Sequence, residues 1–180
     1  MRISKKIGTV VIAGIVLLFI KLGLFDKKAP VVNSKDTITI TKIVDGDTFG
    51  VLFKGKKEKV RLIGVDTPES RKNKKAIKDS ERNAKDLNKI IGLGKQAKEF
   101  VKSIVKVGDE LKIEFDVRER DQYGRLLAYL YMKNGKMLNN YLIEEGFASP
   151  LTYPPNVKYE ELFRSSYKTA RENNKGLWAE

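Results

Sequence analysis

From position 36 onward, apolar and polar residues alternate in short runs. Ile38 and Ile40 alternate with threonines in DTITITKIV. DTFGVLF follows, then a KGKKE turn and KVRLIGV. A period of two marks half-buried strands, and the short connections make these three consecutive and antiparallel. A second pair of strands is predicted over Glu110–Val117 and Leu126–Met132, the latter running into an Asn134-Gly135 reversal. Helical spacing replaces alternation in three places. These are Lys95–Val105, with Phe100, Val101 and Ile104 on one face; Leu138–Glu145, stopped by Gly146; and Tyr159–Asn173, with Leu162, Phe163 and Ala170 inward. The order of elements is βββ, α, ββ, α, α.

Five short strands of this kind suit a closed, strongly twisted barrel with three helices packed outside, an OB-like α+β architecture that is mainly β. This domain spans 37–180. Between Glu69 and Gly94 the pattern lapses into Lys, Arg, Ala and Asn without strand alternation, and 70–94 reads as a long basic loop with at most one short helix. Ahead of the domain the pattern is different in kind. Arg2, Lys5 and Lys6 precede an apolar run from Ile7 that ends at Phe25, interrupted by Lys21. As a helix it would be about 28 Å long, close to the roughly 30 Å of a bilayer core. Residues 1–25 therefore read as a signal peptide or a signal-anchor transmembrane helix, and 26–36 as a linker. No small-x-small pair follows the run cleanly, which favours an uncleaved anchor. The leading positive charges put the domain on the extracellular face of the membrane, or in the medium if the segment is removed.

Composition narrows the chemistry. The 180 residues include no cysteine and no histidine, which excludes disulfide scaffolds, thiol nucleophiles, Cys/His zinc sites and imidazole bases. Catalysis is left to carboxylates, Arg, Lys, Tyr or a hard metal ion. The formal charge is +13, and the residues after 35 still carry 29 basic against 22 acidic side chains. Anionic partners follow from that, nucleic acid or anionic lipid alike. Most of the loop lysines read as a solvated face, with a phosphate-guiding lip as the sharper alternative.

Carboxylates gather where the strands stop. Asp45 and Asp47 flank Gly46 in VDGDT, and VRLIGVDTPE sets Arg61, Asp66 and Glu69 around a Thr67-Pro68 turn. Each piece alone has a purely conformational explanation, since Asp-Gly and Asp-Thr-Pro are both good turn formers. Together with Tyr123, Gly124 and Arg125 at the mouth of another strand, they supply what phosphodiester hydrolysis needs. Asp47, Asp66 and the Thr67 carbonyl are oxygen ligands for a hard cation. Arg61 and Arg125 can grip phosphoryl oxygens and neutralise the charge that builds on them. Glu69 can align or deprotonate the attacking water.

These motifs, in this order, resemble the staphylococcal nuclease-like (thermonuclease) family. VDGDT, VRLIGVDTPE, DQYGRLLAYLY, NGKMLNNYLIEEGFA and the final GLW carry the resemblance, which covers about 37 to 179. It implies an OB barrel with three helices, Ca²⁺ as the metal, and cleavage of DNA and RNA that leaves 3′-phosphate ends. By the same resemblance Asp47, Asp66 and Thr67 bind the metal, Asp45 is their acidic neighbour, and Glu69 is the general base or water-orienting group. Arg61 and Arg125 hold the scissile phosphate, and Tyr123 bonds a neighbouring one. Gln122 replaces a lysine common in the family, which removes one phosphate contact. Tyr153 is either a base-stacking platform or a surface tyrosine stiffened by Pro154 and Pro155. Tyr129 and Tyr131 read as barrel packing.

The expected activity is that of a Ca²⁺-dependent nuclease acting on DNA and RNA as a monomer, with a membrane contact through the leader if it is retained. The competing readings are a non-catalytic single-strand-binding barrel tethered to the membrane, which leaves the acids unexplained, and a lipid-docking surface protein.

Overall fold

A computed structural model describes residues 36–83 and 86–179. The leader and linker expected over 1–35 lie outside the described residues, and no helix among the described residues is long and apolar enough to cross a membrane.

The alternation seen in the sequence is used to line a barrel. β1 (Thr37–Asp45), β2 (Thr48–Phe53) and β3 (Lys56–Leu62) form a meander, and the barrel closes in the order β1-β2-β3-β6-β5 through β5 (Glu110–Glu114) and β6 (Leu126–Tyr131). Ile38, Ile40, Phe49, Val51, Val60, Leu62, Leu111 and Ile113 point inward and are buried. Every second residue along each strand meets the same apolar interior, which is how a period of two becomes a core.

β6 departs from alternation because both of its faces are covered. Ala128, Tyr129, Leu130 and Tyr131 are all buried. The Tyr129 ring packs edge-on against Tyr159 and near Phe163 of α4 (Glu160–Glu172). The expectation that Tyr129 and Tyr131 are packing residues holds. Their hydroxyls donate to Asp116 and Glu114, and burial together with those carboxylates raises both phenol pKa values well above the ordinary tyrosine range.

β6 runs parallel to β3, with Leu126 opposite Val60 and Leu127 opposite Arg61. A second, two-stranded sheet pairs β4 (Gly64–Asp66) antiparallel with β7 (Ser149–Leu151), so that Asp66 faces Ser149. Between β3 and β4 the corner is fixed by Asn139 of α3 (Leu138–Glu144). This fully buried amide donates to the Ile63 carbonyl and accepts from Leu130 N–H. A buried amide in that position is tolerated because its hydrogen bonds are made inside the protein.

The sequence reading of 70–94 as a long loop is wrong. α1 (Lys74–Asn83) and α2 (Leu87–Ile104) occupy most of it, so the domain carries four α-helices among the described residues rather than three, and the helix expected from Lys95 begins eight residues earlier. Asn73 caps α1 by accepting from Ala76 N–H, and Asp86 caps α2 by accepting from Asn88 and Lys89 N–H. The buried stripe of α2 is Ile90, Gly94, Ala97 and Val101, a helical repeat made largely of small residues. A hydrophobic pattern built on Gly and Ala between lysines is faint, which is why the helix escapes notice in the sequence.

Candidate active site

The VDGDT hairpin and the DTPE turn meet at one end of the barrel. Asp47 is buried, and its Oδ2 accepts from both Thr67 N–H and Thr67 Oγ1 at 3.0 Å, while Oδ1 accepts from Thr48 Oγ1. The two turns approach so closely that a Cβ on Gly46 would stand 2.8 Å from the Thr67 side chain. Glycine is required there for space. Asp45 stays local, with Oδ1 accepting from Gly46 N–H.

Arg61, near the end of β3, reaches across this junction. Nη1 pairs with Asp47 Oδ2, and Nη2 donates to Asp66 Oδ1 at 3.0 Å and to the Val65 carbonyl at 3.1 Å. Burial lowers its pKa from the ordinary arginine value and the Asp66 carboxylate pulls it back up, so the guanidinium remains charged at neutral pH.

Three oxygens then converge on one ammonium. Lys75 Nζ, on the first turn of α1, lies 2.8 Å from Asp66 Oδ1, 3.1 Å from Glu69 Oε1 and 3.2 Å from the Thr67 carbonyl. Burial works against the Lys75 charge, but Asp66 and Glu69 outweigh it and hold its pKa above the usual lysine value. Glu69 is held on its other oxygen by Asn73 Nδ2 at 2.7 Å. The α1 cap therefore also positions the acid.

Arg125 sits immediately before β6. With Leu127 opposite Arg61 in the parallel pair, strand alternation puts Arg125 on the same face as Arg61, close enough for the two charges to be felt. Its Nε donates to Asp121 Oδ2 at 2.6 Å, and its guanidinium stacks over the Tyr123 ring at 5.6 Å. Asp121 also accepts from the backbone N–H of Tyr123 and Arg125, which shapes the turn. Tyr123 is exposed.

The structure thus brings Asp47, Arg61, Asp66, Thr67 and Glu69 into one bonded cluster, with Arg125 and Tyr123 on the flanking turn. Tyr153 is exposed beyond β7, and among the described residues no hydrogen bond or ion pair ties it to the acids. Sequence reasoning missed Lys75, Asn73, Gly94 and Asp121. Only Asn73 left a signal, a capping residue ahead of an amphipathic run; Lys75 is indistinguishable in the sequence from the lysines around it.

The donor set suits a hard cation: carboxylate and carbonyl oxygens without nitrogen or sulfur. Asp66, Thr67 O and Glu69 already surround one positive charge. Asp47 is turned toward Thr67 and Arg61 instead, and among the described residues no group of three or more acidic side chains is arranged to hold a metal ion by itself.

Residues 59–180 match the family described as staphylococcal nuclease homologue. The chain is 34% identical to a thermonuclease of Staphylococcus hyicus, over 97% of this chain and 99% of the relative, and 34% identical to a thermonuclease of Staphylococcus intermedius, over 98% of each. Endonuclease YncB of Bacillus subtilis (strain 168) is 35% identical over 86% of this chain and 69% of its own length. On the family match and on this near-complete overlap, the chain belongs to the staphylococcal nuclease homologue family.

Proposed function

We propose that this protein is a Ca²⁺-dependent nuclease that hydrolyses phosphodiester bonds of DNA and RNA and leaves 3′-phosphate ends. The observation that carries the reading is the convergence of Asp66, the Thr67 carbonyl and Glu69 within 3.2 Å of a single cationic atom, with Arg61 bonded alongside. Family membership and relatives named as nucleases support it.

Asp66 and the Thr67 carbonyl are the oxygens that would hold the ion, and Asp47 would join them by giving up its pairing with Arg61. Bound there, Ca²⁺ would neutralise a phosphate oxygen and make phosphorus more electrophilic. Glu69, fixed by Asn73, orients a water and accepts its proton as the oxygen attacks phosphorus. The P–O5′ bond breaks, and its electron pair leaves on the 5′ oxygen, which takes up a proton from solvent. Arg125 is tied to Asp121 through Nε, so its terminal nitrogens are available for the non-bridging oxygens. Arg61 supplies a second guanidinium, exchanging part of its contact with Asp47 and Asp66 for the phosphate as negative charge builds. Tyr123 lies against Arg125, where it can bond an adjacent phosphate. The basic leader read from the sequence places this chemistry at the outer face of the cell membrane or in the medium.

The test uses the full chain on single- and double-stranded DNA and on RNA, with Ca²⁺ and with chelator, and compares Glu69→Gln. Ca²⁺-dependent cleavage with 3′-phosphate ends is expected, and kcat of E69Q should fall by about two decades or more with KM changed far less. Tight binding with no cleavage under any condition would return the protein to the single-strand-binding reading.

A further inference from the structure

The seat at the centre of the acidic cluster is taken by a side chain of this protein. Lys75 Nζ touches Asp66, Glu69 and the Thr67 carbonyl at 2.8 to 3.2 Å, and so it is bonded to two of the oxygens assigned to the ion and to the carboxylate assigned to the water. A calcium ion binds oxygens at about 2.3–2.6 Å. An ammonium and a divalent ion cannot both lie within bonding distance of Asp66 Oδ1 and Thr67 O, because their own separation would then be a few ångströms, with strong repulsion in a half-buried site.

We propose that Lys75 is a built-in competitor for the divalent ion: it occupies the cation seat, and metal binding must expel it. The inference rests on the metal-dependent reading above and deepens it. Lys75 belongs to the first turn of α1, whose cap Asn73 is bonded to Glu69, so the start of this helix is attached to the acidic turn at two points. The Lys75 side chain is 35% exposed, which leaves it a route out to solvent without unwinding the helix. With the ammonium in place, the acids are neutralised and held together. With it displaced, Glu69 loses a cationic partner and is freed to engage water, and the ammonium stays within a side chain's reach of a bound phosphate. Apparent metal affinity equals the intrinsic affinity multiplied by the fraction of molecules in which Lys75 is out of the seat.

The experiment is a calorimetric Ca²⁺ titration of the full chain and of Lys75→Met in the absence of nucleic acid, joined to thermal unfolding in chelator and in saturating Ca²⁺. K75M should bind Ca²⁺ about tenfold tighter or more, unfold at a lower temperature than the parent in chelator, and regain most of that difference when Ca²⁺ is added. Lys75→Gln, which keeps a donor but no charge, carries the same expectation should K75M fail to fold in chelator. Ca²⁺ affinity in folded variants equal to or weaker than that of the parent would overturn the competition while leaving the nuclease reading in place. Absence of Ca²⁺ binding in parent and variants alike would remove the cation seat, and both readings with it.

Discussion

A Cβ placed on Gly94 would stand 2.3 Å from the backbone carbonyl of Glu69, so the middle of α2 runs in direct contact with the turn that presents the acid. A Cβ on Gly92, two residues earlier and off that face, would meet nothing within 4 Å. The helix and the DTPE turn are a single packed unit, and the site is backed by an element that the hydrophobic pattern does not announce. Lys98, one turn further along α2, donates to the Val44 carbonyl at 2.7 Å and ties the same helix to the end of β1, just before the DGD turn.

Gly94→Ala should therefore be costly where Gly92→Ala is not. The added methyl meets backbone rather than a movable side-chain tip, so α2 or the turn must shift. A loss of about 1–3 kcal/mol in urea unfolding is expected, together with a lower kcat as Glu69 is displaced. G92A should be neutral or slightly stabilising, because alanine is the better helix former. Equal stabilities for the two variants would show that the turn and helix are not packed as described.

The two arginines should separate in stability while agreeing in activity. Arg61→Ala leaves Asp47 and Asp66 without their shared partner in a largely buried setting, and it should lower stability by several kcal/mol. Arg125→Ala removes one partly exposed pair with Asp121 and should cost about 1 kcal/mol or less. Both should lower the cleavage rate by about two decades or more at saturating Ca²⁺. Steady-state kinetics beside denaturant titrations checks this; a rate within threefold of the parent in either variant removes that arginine from the proposed chemistry.

Asp121 sets an acid-side dependence. Burial raises its pKa, but the hydrogen bonds from Arg125 and the turn N–H groups prevail and hold it below the ordinary aspartate value. A folded-state pKa lowered in this way contributes stability that is fully present above the unfolded value, about 3.9, and is lost as pH falls through the folded one. Asp121→Asn should thus be less stable than the parent at pH 7, and the gap should close as the pH drops below about 4. Unfolding midpoints measured across that range for both proteins check the sign, and a gap that widens toward low pH would contradict it.

Much of this molecule is legible in one dimension. Alternation from Ile38 to Leu62 and again around Ile113 marks barrel strands, because a strand with one wet and one dry face writes its period directly into the chain. The turns bearing Asp47, Asp66, Glu69 and Arg125 announce themselves through Asp, Gly and Pro, and the absence of histidine and cysteine leaves oxygen chemistry as the remaining route. What only the tertiary structure decides is which of these residues meet, and on what support. The parallel registration of β6 against β3 brings Arg125 to the same face as Arg61, and the β4–β7 pairing, the seating of Gly94 on Glu69 and the choice of Lys75 over its neighbours have no local signature. Local periodicity records the polarity of each face of an element, whereas the partner of that face is selected by packing between segments distant in the chain, where a glycine's missing methyl or one ammonium's reach is felt only once the fold has closed.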